Sequence, residues 1–137
     1  MTIRGYVPGV FDMFHIGHLR ILLRARDACD ILIAGVVTDE VAQSVKGRYP
    51  IIPFAERVKI VEHLRIVDEV VADDQVEKDL MWERVRYDVL FKGSDWKDTE
   101  KGRKLEAALD QYDAHIHYFP YTESTSSTQL RALVGDG

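Results

Sequence analysis

What most constrains this chain is an alternation. Short apolar runs recur at residues 3–10, 31–37, 67–72, 88–92 and 116–119, the first three carrying two or more β-branched residues. The gaps between them, at 17–29, 53–63, 76–86 and 101–112, have helical spacing, and a last helix is expected at 127–134. Strands separated by helices pair in parallel through right-handed crossovers. The expected architecture is therefore α/β, a doubly wound parallel sheet in one domain over residues 1–137. Ligands of such sheets sit beyond the carboxyl ends of the strands, so the loops that follow the strands are where chemistry should be sought.

Composition narrows the function classes. With 46% hydrophobic and 30% charged residues, 137 residues suffice for one proper core. The longest apolar run, 31–37, is too short to span a bilayer, and no secretory leader pattern opens the chain. Cys29 is the single cysteine, so no internal disulfide can form and a reducing cytoplasm is the expected location. A formal net charge of −5 argues against broad nucleic-acid binding but leaves room for an anionic small molecule in a locally positive pocket.

The first crossover carries the densest signal. Tyr6-Val7-Pro8-Gly9-Val10-Phe11-Asp12 reads as a strand running into a tight turn, and Leu19 to Arg26 reads as a helix. Between them stands His15-Ile16-Gly17-His18. A helix start offers free backbone N–H groups and the positive end of the dipole, and Gly17 lets a phosphoryl group approach the backbone. His15 and His18, three apart, can face one side of the first turn.

From Gly9 to His18 the chain resembles the HxGH signature of the nucleotidyltransferase superfamily, in its cytidylyltransferase-like branch. That resemblance implies a Rossmann-like sheet and the joining of a nucleoside triphosphate to a phosphorylated small molecule, with release of pyrophosphate. Such a displacement needs alignment of reactants and stabilisation of charge on phosphoryl oxygens, not a nucleophile–base pair. The resemblance assigns His15, His18 and Lys46 to catalysis, and Gly9, Val10, Phe11, Asp12 and Gly17 to nucleotide binding. Lys46 in Lys46-Gly47-Arg48 matches a family lysine on a loop after the second strand. Arg57 and Arg65 are eight apart, close to one face of a helix, and are expected to meet substrate phosphate; Arg65 matches a family arginine. Mg²⁺ is expected mainly on triphosphate oxygens and water, with Asp12 as one protein ligand.

Two later blocks complete the resemblance. Lys92-Gly93-Ser94-Asp95-Trp96 is similar to the segment that meets base and ribose after the fourth strand, giving Lys92, Gly93 and Asp95 as nucleotide contacts, with Asp95 ranked above Trp96. Tyr121 to Thr128 aligns with a second signature usually reading Arg-Thr-Glu-Gly-Ile-Ser-Thr-Thr, giving Thr122, Ser126, Ser127 and Thr128. Tyr121 and Ser124 replace the usual arginine and glycine; the lost guanidinium is a phosphate clamp that Lys92, Arg103 or Arg131 could replace. Size and layout are most similar to bacterial glycerol-3-phosphate cytidylyltransferases, which implies CTP, a phosphorylated alcohol and a homodimer. The segment Asp88 to Trp96 also resembles the heptose-phosphate adenylyltransferase branch, so ATP with a sugar phosphate is an alternative. A silent nucleotide-binding module is another, favoured by Tyr121 alone.

Overall fold

The computed structural model describes residues 1–120 and 127–133, with side chains in the last segment described from Gln129 onward. Five strands form one sheet: β1 (Arg4–Gly9), β2 (Ile31–Val37), β3 (Glu69–Asp73), β4 (Val89–Gly93) and β5 (His115–Phe119). Their order is β3-β2-β1-β4-β5 and every pairing is parallel. The order reverses between β1 and β4, which makes the crest of those two strands the switch point where ligands of such sheets bind.

Period-2 alternation sends the two faces of the sheet into separate cores. Val7, Leu32, Ala34, Val36, Val89 and Phe91 pack under Leu22 and Ala25 of α1 (Ile16–Asp27) and Val61 of α3 (Phe54–Glu62). Tyr6, Ile33 and Leu90 pack on the other face against Met81, Val85 of α4 (Trp82–Val85), and Leu105 and Leu109 of α5 (Glu100–Asp110). The chain closes with α6 (Ser127–Leu133). Among the described residues, no helix is long and apolar enough to cross a membrane.

Two elements differ from the sequence expectation. Residues 39–46, read as part of a loop, form α2 (Asp39–Lys46). The Thr38 hydroxyl accepts from the Val41 N–H at its start, and Gly47 ends it at φ 79°, a left-handed position that suits glycine. The single helix expected at 76–86 is instead a 3₁₀ turn at Lys78–Met81 followed by the four residues of α4. Side-chain ties tighten that turn. The Lys78 ammonium is drawn to Asp73 and the Gln75 carbonyl, while the Lys78 carbonyl accepts from the Tyr87 hydroxyl.

Candidate active site

The loop after β1 is built around two left-handed residues, Phe11 (φ 56°) and Met13 (φ 49°). Such a conformation costs a non-glycine residue about 1 kcal/mol. Burial of the Phe11 ring offsets it: the ring is 4% exposed and folds so closely on Gly9 that a Cβ there would lie 2.9 Å from it. Phe11 thus serves the site by shaping the turn, not by presenting its ring to a nucleotide. The Val10 carbonyl is likewise engaged inside the protein, accepting from Arg57.

Between those two residues Asp12 points inward and is 1% exposed. Its Oδ1 accepts from the Ile52 N–H at 2.9 Å; its Oδ2 accepts from the Ile51 N–H at 2.9 Å and from Arg131 at 2.5 Å. One carboxylate therefore ties three segments together: the first crossover loop, the chain leading into α3, and α6. Where a metal ligand was expected, both oxygens are engaged by donors of the protein itself. Among the described residues, no group of three or more His, Cys, Asp or Glu could hold a metal ion.

The two histidines cap α1 for each other. The His15 Nδ1 accepts from the Gly17 N–H at 3.0 Å, and the His18 Nδ1 accepts from the His15 N–H at 3.2 Å. Their rings stack with centroids 3.9 Å apart. Since each Nδ1 is an acceptor, a neutral ring carries its proton on Nε2. Burial lowers the pKa of His15, and burial together with the neighbouring His15 lowers that of His18 to about 3. At neutral pH the pair is two uncharged Nε2–H donors on a helix N-terminus, held by backbone.

Cations gather around this pair. Lys46 ends α2; burial of its ammonium lowers its pKa, and the charges of Arg131 and Arg48 add to the effect. The charges of Lys46 and Asp12 also act on His18. Lys92, at the end of β4, lies 3.8 Å from the Trp96 ring centroid; burial lowers its pKa, and Lys78, Lys46 and Lys101 add to the effect. Gly93 follows it, while Asp95 is exposed on the next turn. Trp96 thus has a definite partner in Lys92.

Arg57 and Arg65 do not belong to this cluster. The Arg57 guanidinium is 1% exposed and donates to the carbonyls of Ile52, Val10 and Val37 and to the Asp39 carboxylate at 2.5 Å. It clamps the ends of β1 and β2 to α2 and α3, so it is a structural post under the site and no substrate ligand. Arg65 lies beyond α3, exposed, just before β3 begins. That is the edge of the strands' amino ends, opposite the site. Thr122 and Ser126 lie outside the described residues, and Ser127 and Thr128 open α6 without described side chains. Sequence reasoning missed Lys78 as a member of the cation group and Arg131 as the partner of Asp12.

A family model described as cytidylyltransferase-like matches residues 6–133. The chain belongs to that family. Among curated relatives, glycerol-3-phosphate cytidylyltransferase of Bacillus subtilis is 32% identical over 127 residues, covering 90% of each chain. FAD synthase of Pyrococcus abyssi is 38% identical over 94 residues, 68% of this chain and 64% of that protein. The bifunctional protein HldE of Streptomyces coelicolor is 33% identical over 132 residues, and this chain spans 28% of its length. Other HldE proteins are matched over about a quarter of their length. Among solved structures, a lipopolysaccharide core biosynthesis protein from Thermoplasma volcanium superposes with a TM-score of 0.76 at 23% identity, over 91% of this chain and all of that one. It shares the Rossmann-like fold. The stacked His15–His18 pair stands at the first crossover, with Lys46 at the end of α2 and Lys92 at the end of β4.

Proposed function

We propose that this chain transfers a cytidylyl group from CTP to a phosphorylated small alcohol, glycerol 3-phosphate first among them, and releases pyrophosphate. The observation that carries the reading is the reciprocal cap of His15 and His18, which presents two neutral N–H donors at a helix N-terminus beside Lys46. An oxygen of the acceptor phosphate attacks the α-phosphorus. The bond from that phosphorus to the bridging oxygen breaks, and pyrophosphate leaves with the electron pair. His15, His18, the Gly17 backbone and Lys46 would stabilise charge on the phosphoryl oxygens. Being neutral, the imidazoles donate without being able to pass a proton to the anionic nucleophile.

Mg²⁺ belongs to the proposal as the counter-ion of the triphosphate, since Asp12 is occupied by Ile51, Ile52 and Arg131. The B. subtilis relative, matched over 90% of each chain, favours CTP and glycerol 3-phosphate. A second reading, adenylyl transfer from ATP to a sugar phosphate, draws support from the HldE relatives and from Lys92-Gly93 before the acidic Asp95. Pairing of two copies and a cytoplasmic location are carried with the proposal.

The test is pyrophosphate release with Mg²⁺ from each of four nucleoside triphosphates against a panel of phosphorylated alcohols and sugars. Turnover of CTP with glycerol 3-phosphate is expected. Turnover of ATP alone would transfer the reading to the adenylyl alternative, and silence in every combination would leave a nucleotide-binding module.

A further inference from the structure

A buried relay links the middle of β1 to a lysine at the rim of the site. Tyr6 lies on β1 and Asp73 ends β3, with β2 between them. The Tyr6 ring crosses β2 at Gly35, where any Cβ would overlap the phenol oxygen. Its hydroxyl donates to Asp73 Oδ2 at 2.6 Å. The ring is fixed from its other side by stacking on Tyr87, at a centroid distance of 5.1 Å. Burial and the adjoining Asp73 carboxylate raise the Tyr6 pKa, so the phenol stays protonated and remains a donor.

Asp73 is wholly buried, an expensive place for a carboxylate unless it is paired. Its Oδ1 accepts from the Gln75 N–H at 3.2 Å and from the Lys78 ammonium at 2.9 Å. The same ammonium donates to the Gln75 carbonyl at 2.7 Å. Two of its three N–H bonds are therefore spoken for, and tetrahedral geometry fixes the direction of the third. The Lys78 side chain keeps 17% of its surface exposed, on the edge where the strands end, and its charge is felt at Lys92. An acidic chain that gathers Lys46, Lys78 and Lys92 around one crest has built a place for anions.

We propose that Tyr6 and Asp73 are positioning residues that hold the Lys78 ammonium for the phosphate of the acceptor. This rests on the transfer reaction proposed above. The histidine pair, the N-terminus of α1 and Lys46 take one end of the triphosphate. In-line displacement brings the acceptor to the α-phosphorus from the side opposite the departing pyrophosphate. Lys78 follows β3 on the edge where the strands end, and its charge acts on Lys92 at the end of β4.

The experiment compares the full chain with Tyr6→Phe, Asp73→Asn and Lys78→Gln. KM for glycerol 3-phosphate and for CTP is measured by pyrophosphate release, and thermal melts are recorded alongside. The acceptor KM is expected to rise about tenfold in Asp73→Asn and Lys78→Gln and about threefold in Tyr6→Phe, while the CTP KM stays within about twofold. Tyr6→Phe keeps the ring and its stacking, so it reports on the relay even if Asp73→Asn fails to fold. Inorganic phosphate is also titrated into the ¹⁵N-labelled proteins and read at the amides of residues 75–78, where Asp73→Asn should weaken binding at least fivefold. Lower melting temperatures with both KM values unchanged, or equal rises in both, overturn the positioning role and leave the reaction standing. Phosphate shifts without turnover of any acceptor overturn the reaction and leave the anion site standing.

Discussion

Replacing Arg57 with Met separates a structural post from a substrate ligand. The guanidinium donates to three backbone carbonyls and one carboxylate while almost wholly buried. Methionine fills similar space but leaves the Val10 and Val37 carbonyls without that donor and Asp39 without its cation. Asp39 is partly exposed, 31% by side chain, so its share is small and most of the loss comes from the buried carbonyls. Unsatisfied buried acceptors cost about 1–3 kcal/mol each, so the loss is about 3–5 kcal/mol in all. With a melting entropy of about 2.1 cal/mol/K per residue, a domain of this length should melt roughly 10–17 °C lower. Circular dichroism melts and urea titrations measure it, with Arg57→Lys expected to fall between the two because one ammonium cannot reach four acceptors. A melting point within about 2 °C of the parent, together with collapse of turnover, would mean that Arg57 serves substrate and would refute the clamp.

Further outcomes follow from the same geometry. Because His18 has a pKa of about 3 in the fold against 6.5 when unfolded, the unfolded chain binds the extra proton between those values. Stability is full above pH 6.5 and falls as the medium acidifies, by up to ~1.4 kcal/mol per pH unit and about 2 kcal/mol by pH 5. Urea titrations at pH 7 and pH 5 check this, and His18→Asn, whose amide oxygen can keep the cap, should flatten the slope. His15→Ala and His18→Ala should each lower kcat by ~10²–10³, and near-normal rates in both would remove the pair from the reaction. Arg131→Gln should cost about 3 kcal/mol and slow turnover at least tenfold, since Asp12 then loses its hold on α6. A variant of unchanged stability and rate would show that this tie is dispensable.

Much of the sheet was legible because its strands are buried on both faces and read as continuous apolar runs, as at Ile31–Val37. α2 was hidden for the opposite reason. It is only eight residues long and buries only Ala42, and the legible marks were its caps, Thr38 and Gly47. The histidine pair was visible as a motif, but its reciprocal cap, and hence its tautomer, is a property of geometry. Arg57 misled because an arginine near a phosphate site looks the same in sequence whether its donors face substrate or carbonyls. Asp39, eighteen residues earlier, gave no local sign of the pairing. Lys78 escaped notice because nothing in residues 73–87 announces that a tyrosine on β1 reaches across to Asp73.

The most direct measurement is long-range ¹H–¹⁵N spectroscopy of the imidazoles in protein labelled at histidine, at pH 7, before and after addition of CTP with Mg²⁺. Both His15 and His18 should be neutral with the proton on Nε2, and both Nε2 resonances should move when nucleotide binds. Protons found on Nδ1, charged rings, or Nε2 signals indifferent to saturating nucleotide would contradict the account.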